Sequence, residues 1–420
     1  MKRMLIILIA ILAALTASAR DYVVTQFGVK NDSTKLQTAA LQKIIDRASE
    51  EGGGNVVIPK GTFLTGALFF KPGTKLSLQE GAVLKGSDNI KDYPLMPSRM
   101  EGRSIYYYPA LINAYHVDGF EINGPGTVNG NGRKFWRTFW ERRAQARKEG
   151  RECTNLEVSR PRLVFIWGSD GVKLNGAKFI NSGFWTTHFY QCDDLTIENC
   201  RMETPPRPQR CPSTDAIDLD VCRRVKIKGC YFSTDDDGVC IKGGKGTFAH
   251  KARENGSVED VMVEDCTFGP NLHGILTMGS ECIHAKNITL RNCKVETGCT
   301  ILRFKMRPDT YQVYENITVE NVVGKCGSII EMKPWTQFYS LEGEGEKPFG
   351  LVRNITIRDV DVECPGLGIM EGNPDDRVEN VVFENVKVAG AKSTAFRDAY
   401  QDATKMTDVT IDGKGVEYEN

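Results

Sequence analysis

One short phrase recurs along this chain: apolar, polar, apolar, polar, then Asn, Asp or Gly, then Cys or Val. Copies end at Cys200, Cys230, Cys266 and Cys293, and again at Val322, Val360 and Val386, at intervals of 30, 36, 27, 29, 38 and 26 residues. Segments 120–125 and 172–177 have the same build. Each copy carries the two-residue alternation of a strand with one buried face. It closes on residue types that suit a turn. A single short strand cannot bury its face, whereas stacked copies bury each other's. The repeat therefore predicts an all-β parallel solenoid. About ten coils at ~4.8 Å per stacked strand would make a rod of roughly 50 Å. Leucine-rich repeats are the main rival, but their helical segments and Leu–Asn spacing are missing.

The chain has 13 cysteines, an odd number, so at least one is unpaired. Those at 200, 230, 266 and 293 hold equivalent positions, which favours a buried ladder of small apolar side chains over disulfides between them.

The ends differ in texture. Residues 1–19 read as an export signal: Lys2 and Arg3, an apolar run from Met4 to Leu15, then Ala17-Ser18-Ala19. The run is shorter than the ~20 residues of a membrane span. The expectation is therefore an exported protein, periplasmic or secreted, with no membrane association after cleavage. Residues 20–420 would form a single catalytic domain, and a monomer is expected. Thr38–Glu50 has Leu41, Ile44, Ile45 and Ala48 at helical spacing and ends at Gly52-Gly53-Gly54. A helix there would cap the open end of the solenoid. A second, strongly basic segment, 135–152, also reads as helical, and Trp136 and Trp140 mark it as packed or ligand-facing. Lys plus Arg number 54 and so do Asp plus Glu. That balance argues against nucleic acid as a partner and leaves room for a local cationic site.

Four polar clusters fall between the buried repeats: Asp215 with its neighbours, Asp235-Asp236-Asp237, His273, and Arg303 with Lys305. Successive clusters are 21, 37 and 30 residues apart, each near one coil, so stacking would set them side by side. Arg303 and Lys305 would point to one face of a strand. Adjacent Asp236 and Asp237 cannot both do so in a regular strand, which predicts a strand end or bulge there. Glycoside hydrolysis needs one protonated carboxyl and one ionised carboxylate, and crowded acids separate their pKa values. Two cations beside them suit a sugar carboxylate. A Ca²⁺ site is the alternative for the acids alone, and the adjacent cations weaken it; no metal or cofactor is expected.

At these residues the chain resembles glycoside hydrolase family 28, the polygalacturonases. The family's Asn-Thr-Asp is matched by Ser213-Thr214-Asp215, its Gly-Asp-Asp by Asp235-Asp236-Asp237, its Gly-His-Gly by Leu272-His273-Gly274 and its Arg-Ile-Lys by Arg303-Phe304-Lys305. The resemblance implies a right-handed parallel β-helix and an inverting hydrolase of pectic poly- or oligosaccharides containing galacturonate. It implies Asp236 as general acid, Asp215 and Asp237 as activators of water, and His273 in support of the acid. Arg303 and Lys305 would bind the sugar after the scissile bond. Lys242 joins the substrate-binding candidates, as do Arg160 and Arg162, which follow the basic insertion. That insertion precedes the catalytic coils, so the expectation is a wall across one end of the groove and exo action from the non-reducing end, with Arg160 or Arg162 at the terminal carboxylate. The alternatives are an endo-acting polygalacturonase, a rhamnogalacturonan hydrolase, a Ca²⁺-dependent pectate lyase, and a noncatalytic carbohydrate-binding β-helix.

Overall fold

The computed structural model describes residues 20–338 and 347–418. The expected signal, 1–19, lies outside the described residues. The chain winds into a parallel β-helix. One long sheet holds the repeated phrases, and a second sheet of twelve strands runs beside it from Leu68–Phe70 to Glu417–Tyr418. Twelve levels exceed the ten or so expected, because strands near both ends lie outside the recognisable phrases.

The repeat stacks in register. Ile288, Ile317, Ile355 and Val381 are successive partners; all four are buried, together with Leu290, Val319, Ile357 and Phe383. At ~0.8 kcal/mol per buried methylene this inner row contributes strongly to the solenoid's cohesion. All 13 cysteines are free and buried. Cys200, Cys230, Cys266 and Cys293 follow one another as side-chain neighbours, forming the expected ladder. At the turns, Asn287, Asn316, Asn354 and Asn380 take left-handed backbone angles, φ 54–56°. Each Asn donates its side-chain amide to the residue one coil earlier at 2.9–3.0 Å.

Helix α1, Thr38–Glu50, buries Leu41, Ile44, Ile45 and Ala48 as its spacing predicts. Gln42 explains how it caps: its amide donates to the Phe69 carbonyl and accepts from the Phe69 N–H, both at 2.8 Å. The terminal strand of the second sheet is thereby closed by a side chain. At Gly53, φ is 107° and a Cβ would lie 2.6 Å from the Gly73 carbonyl oxygen, so only glycine fits this exit. Helix α2, Arg133–Lys148, is the basic insertion. It docks through buried Phe135, Trp136 and Phe139, with the Trp136 indole N–H donating to the Ser182 carbonyl at 2.8 Å.

Candidate active site

The second sheet presents the four clusters from neighbouring coils. Backbone bonds run past the strand ends and tie them together: Ala216 N–H to the Asp237 carbonyl at 2.9 Å, His273 N–H to the Asp236 carbonyl at 3.0 Å, and Thr300 N–H to the His273 carbonyl at 3.1 Å. Asp236 and Asp237 lie at the corner between the strands Tyr231–Ser233 and Val239–Lys242, as their adjacency predicts. Off the strand, they diverge. Asp237 turns toward Lys305, 2.6 Å away, and Arg303, 3.4 Å away. Asp236 faces His273 Nδ1 at 3.4 Å and accepts from the Ser213 N–H at 3.2 Å.

These surroundings set different protonation states. Burial pushes the Asp215 carboxyl well above the usual range, and the charges of Asp236 and Asp218 add to the effect. Burial also opposes ionisation of Asp236, but the His273 imidazole, and Lys305 beyond it, override that and hold Asp236 low. For Asp237, Lys305 and then Arg303 override burial in the same sense. His273 is raised, chiefly by Asp236. Of the two neighbouring carboxyls, Asp215 is therefore the one that keeps a proton in the free protein, and Asp236 the one that is ionised. A substrate oxygen at Asp236 would be needed to draw that proton across.

Lys242 lines the pocket, but its ammonium is engaged by acids: Glu281 at 3.2 Å, Asp218 at 3.4 Å and Asp215 at 3.7 Å. Its geometry is that of a buried counter-charge beneath Asp215. Burial pushes Asp218 up to about 7, with the Lys242 ammonium 3.4 Å away working in the opposite sense. Asp215, Asp218 and Cys240 bring possible metal-ligand atoms within 4.8 Å of one another. The Lys242 ammonium already supplies positive charge beside both carboxylates, so this set fits a lysine better than an ion.

Arg160 and Arg162 do not reach the pocket, contrary to the sequence expectation. Both are fully buried, and burial pushes both guanidinium pKa values down to about 10. Arg160 is held between the Phe139 and Phe184 rings, 4.3 and 4.2 Å from their centres, and donates to the Pro212 carbonyl at 2.6 Å and to Ser213 Oγ at 3.3 Å. It thus buttresses the backbone that donates to Asp236. Arg162 lies against Phe165 and donates to the Arg99 carbonyl at 2.8 Å and to Ser98 Oγ at 2.6 Å. The antiparallel ribbon Met96–Tyr107 covers it.

The carboxylates open into a pocket of about 240 Å³. Phe139, Trp140 and Arg143 of α2, with Arg210, form one wall; Trp335 and Phe338 stand on the other. Trp335 lies over Arg303 and Lys305, 5.3 and 4.9 Å from its ring centre. Arg143, Arg210, Glu281 and Trp335 were missed in the sequence. Only Trp335 carried a usable signal, as an aromatic directly after the apolar strand Ser328–Pro334.

The arrangement matches known proteins. The profile of glycosyl hydrolases family 28 covers residues 49–404. An exo-poly-alpha-D-galacturonosidase of Dickeya chrysanthemi is 36% identical over 91% of this chain and 70% of its own length. An endo-polygalacturonase of Pectobacterium parmentieri is 26% identical over 86% of each chain. Among solved structures, an exopolygalacturonase from Thermotoga maritima superimposes with a TM-score of 0.76 at 21% identity, covering 94% of this chain and 92% of that one. That likeness carries the fold, a right-handed parallel β-helix. With the family profile spanning most of the solenoid and every acid-bearing coil, the chain belongs to glycosyl hydrolases family 28 and is a glycoside hydrolase.

Proposed function

We propose that this chain is an exo-acting hydrolase of α-galacturonosidic bonds in pectic poly- or oligosaccharides, working with inversion at the anomeric carbon. The observation that carries the reading is the meeting of Asp215 and Asp236 with Arg303 and Lys305 in a pocket walled by α2, with Asp237 buried directly behind the two cations. In this mechanism Asp236 stands nearest the leaving oxygen, with His273 against it. It delivers a proton drawn from Asp215, which holds it in the free protein. Asp237, kept ionised by Lys305, and Asp215, once its proton has moved, take up the proton of the attacking water. Arg303 and Lys305 hold the carboxylate of the sugar after the scissile bond.

Exo action is supported by the pocket's volume, below the ~300–1,000 Å³ of ordinary ligand sites, and by the helix across its N-terminal side. The galacturonate substrate is supported by the cations and by the activities for which the Dickeya and Pectobacterium relatives are named. Export, through residues 1–19, and a monomeric single domain from residue 20 onward complete the proposal. Early products from long polygalacturonate test it. Galacturonate released alone while chain length stays high is expected; an immediate ladder of mixed oligomers would rule out exo action.

A further inference from the structure

We propose that Arg143 and Arg210, clasping Trp140, form the subsite for the carboxylate of the sugar before the scissile bond, and that Asp235 positions Arg210 for it. The proposal rests on the galacturonosidase reading and assigns the other half of its substrate.

Most cations in the pocket already face an acid. Arg210 pairs with Asp235 at 3.1 Å, Lys242 with Glu281 at 3.2 Å, Arg303 with Glu331 at 2.8 Å and Lys305 with Asp237 at 2.6 Å. Arg143 lines the same pocket with no carboxylate among the described residues as partner, its guanidinium 5.4 Å from the centre of the Trp140 ring. Arg210 lies 5.2 Å from the same ring, and its carbonyl accepts the Trp140 indole N–H at 3.2 Å, which fixes the ring between the two. The result is a pair of planar donors held in place by one aromatic ring, suited to a sugar carboxylate.

Asp235 explains why Arg210 is there. One Asp235 oxygen accepts from Arg210 and from the Cys211 N–H at 2.6 Å, and the other from Arg207 at 3.2 Å. One acid holding two arginines leaves this wall positive, and Arg143 adds a further charge. Position fixes the side. Helix α2 precedes the acid-bearing coils and Arg303 follows them, so the wall and the Arg303–Lys305 pair lie on opposite sides of the reacting centre.

The test compares α-linked digalacturonate with its analogue methyl-esterified on the non-reducing sugar, using the native chain, Arg143→Gln and Asp235→Asn. Arg143 is half-exposed on a helix, so its replacement leaves the core untouched. Arg143→Gln should raise KM for digalacturonate about tenfold or more, the equivalent of one charge-assisted hydrogen bond. Its kcat should stay within about threefold, as for loss of uniform binding. KM for the ester should not change. Asp235→Asn should act in the same direction on KM, more weakly. Equal effects on acid and ester, or none on either, would overturn the subsite while leaving the activity in place. Failure of the native chain to cleave digalacturonate would overturn both.

Discussion

The turn that carries the asparagines and the face that carries the acids are built by the same stacking, and they behave in opposite ways. At the turn, like sits on like: Asn287, Asn316, Asn354 and Asn380 repeat one conformation and one hydrogen bond, so each rung is nearly interchangeable. On the acid-bearing face, successive coils place unlike groups in contact, with Asp237 against Lys305 and Asp236 against His273. Regular stacking thus gives structure where residues repeat and chemistry where they differ. The buried charges also favour specificity of arrangement over stability, since desolvation offsets much of their attraction.

The comparison is most sharply tested at Asp236. Asp236→Asn should lower kcat by at least ~10²-fold and leave the thermal unfolding midpoint unchanged or higher. A variant that turns over normally would remove Asp236 from the mechanism. The inner row should answer the other way. Ile317→Ala, in the centre of the stack, should cost about 2–5 kcal/mol of stability while the folded fraction keeps its kcat, which urea unfolding and active-site titration together would show. A turn residue should matter less. Asn316→Ala loses one donated and one accepted hydrogen bond and strains a left-handed position, together about 1–3 kcal/mol. The smallest effect is expected beneath the site. Asp218→Asn removes a negative charge that helps keep the proton on Asp215, so the Asp215 carboxyl titrates lower. The alkaline limb of the pH–rate profile should move to lower pH, with the fold intact; a limb that stays or rises would contradict the assignment of the proton to Asp215.

How much of this was legible in the sequence follows from the same contrast. The phrase ending at Cys200 to Val386 exposed the solenoid because strand period and coil period both repeat. Asp215, Asp236, Asp237, His273, Arg303 and Lys305 were legible because they form four clusters, each at the same point of a different coil. Arg160 and Arg162 misled because a basic residue in an insertion gives no sign of what will cover it. Phe139, Phe184 and the ribbon at 96–107, distant in sequence, bury them. Lys242 was found as part of the site, but that Asp218 and Glu281 would surround its ammonium depends on side-chain directions set by tertiary packing. Arg143 escaped notice among the many basic residues of α2, since only docking of the helix shows which of them faces the acids.

The central claim is that these stacked, unlike groups form an inverting hydrolase. The anomeric configuration of the first product, followed by proton NMR during hydrolysis of α-linked polygalacturonate, tests it most directly. The account predicts that free galacturonate appears first as the β-anomer and only later equilibrates. Initial release of the α-anomer, or of an unsaturated sugar, would contradict it.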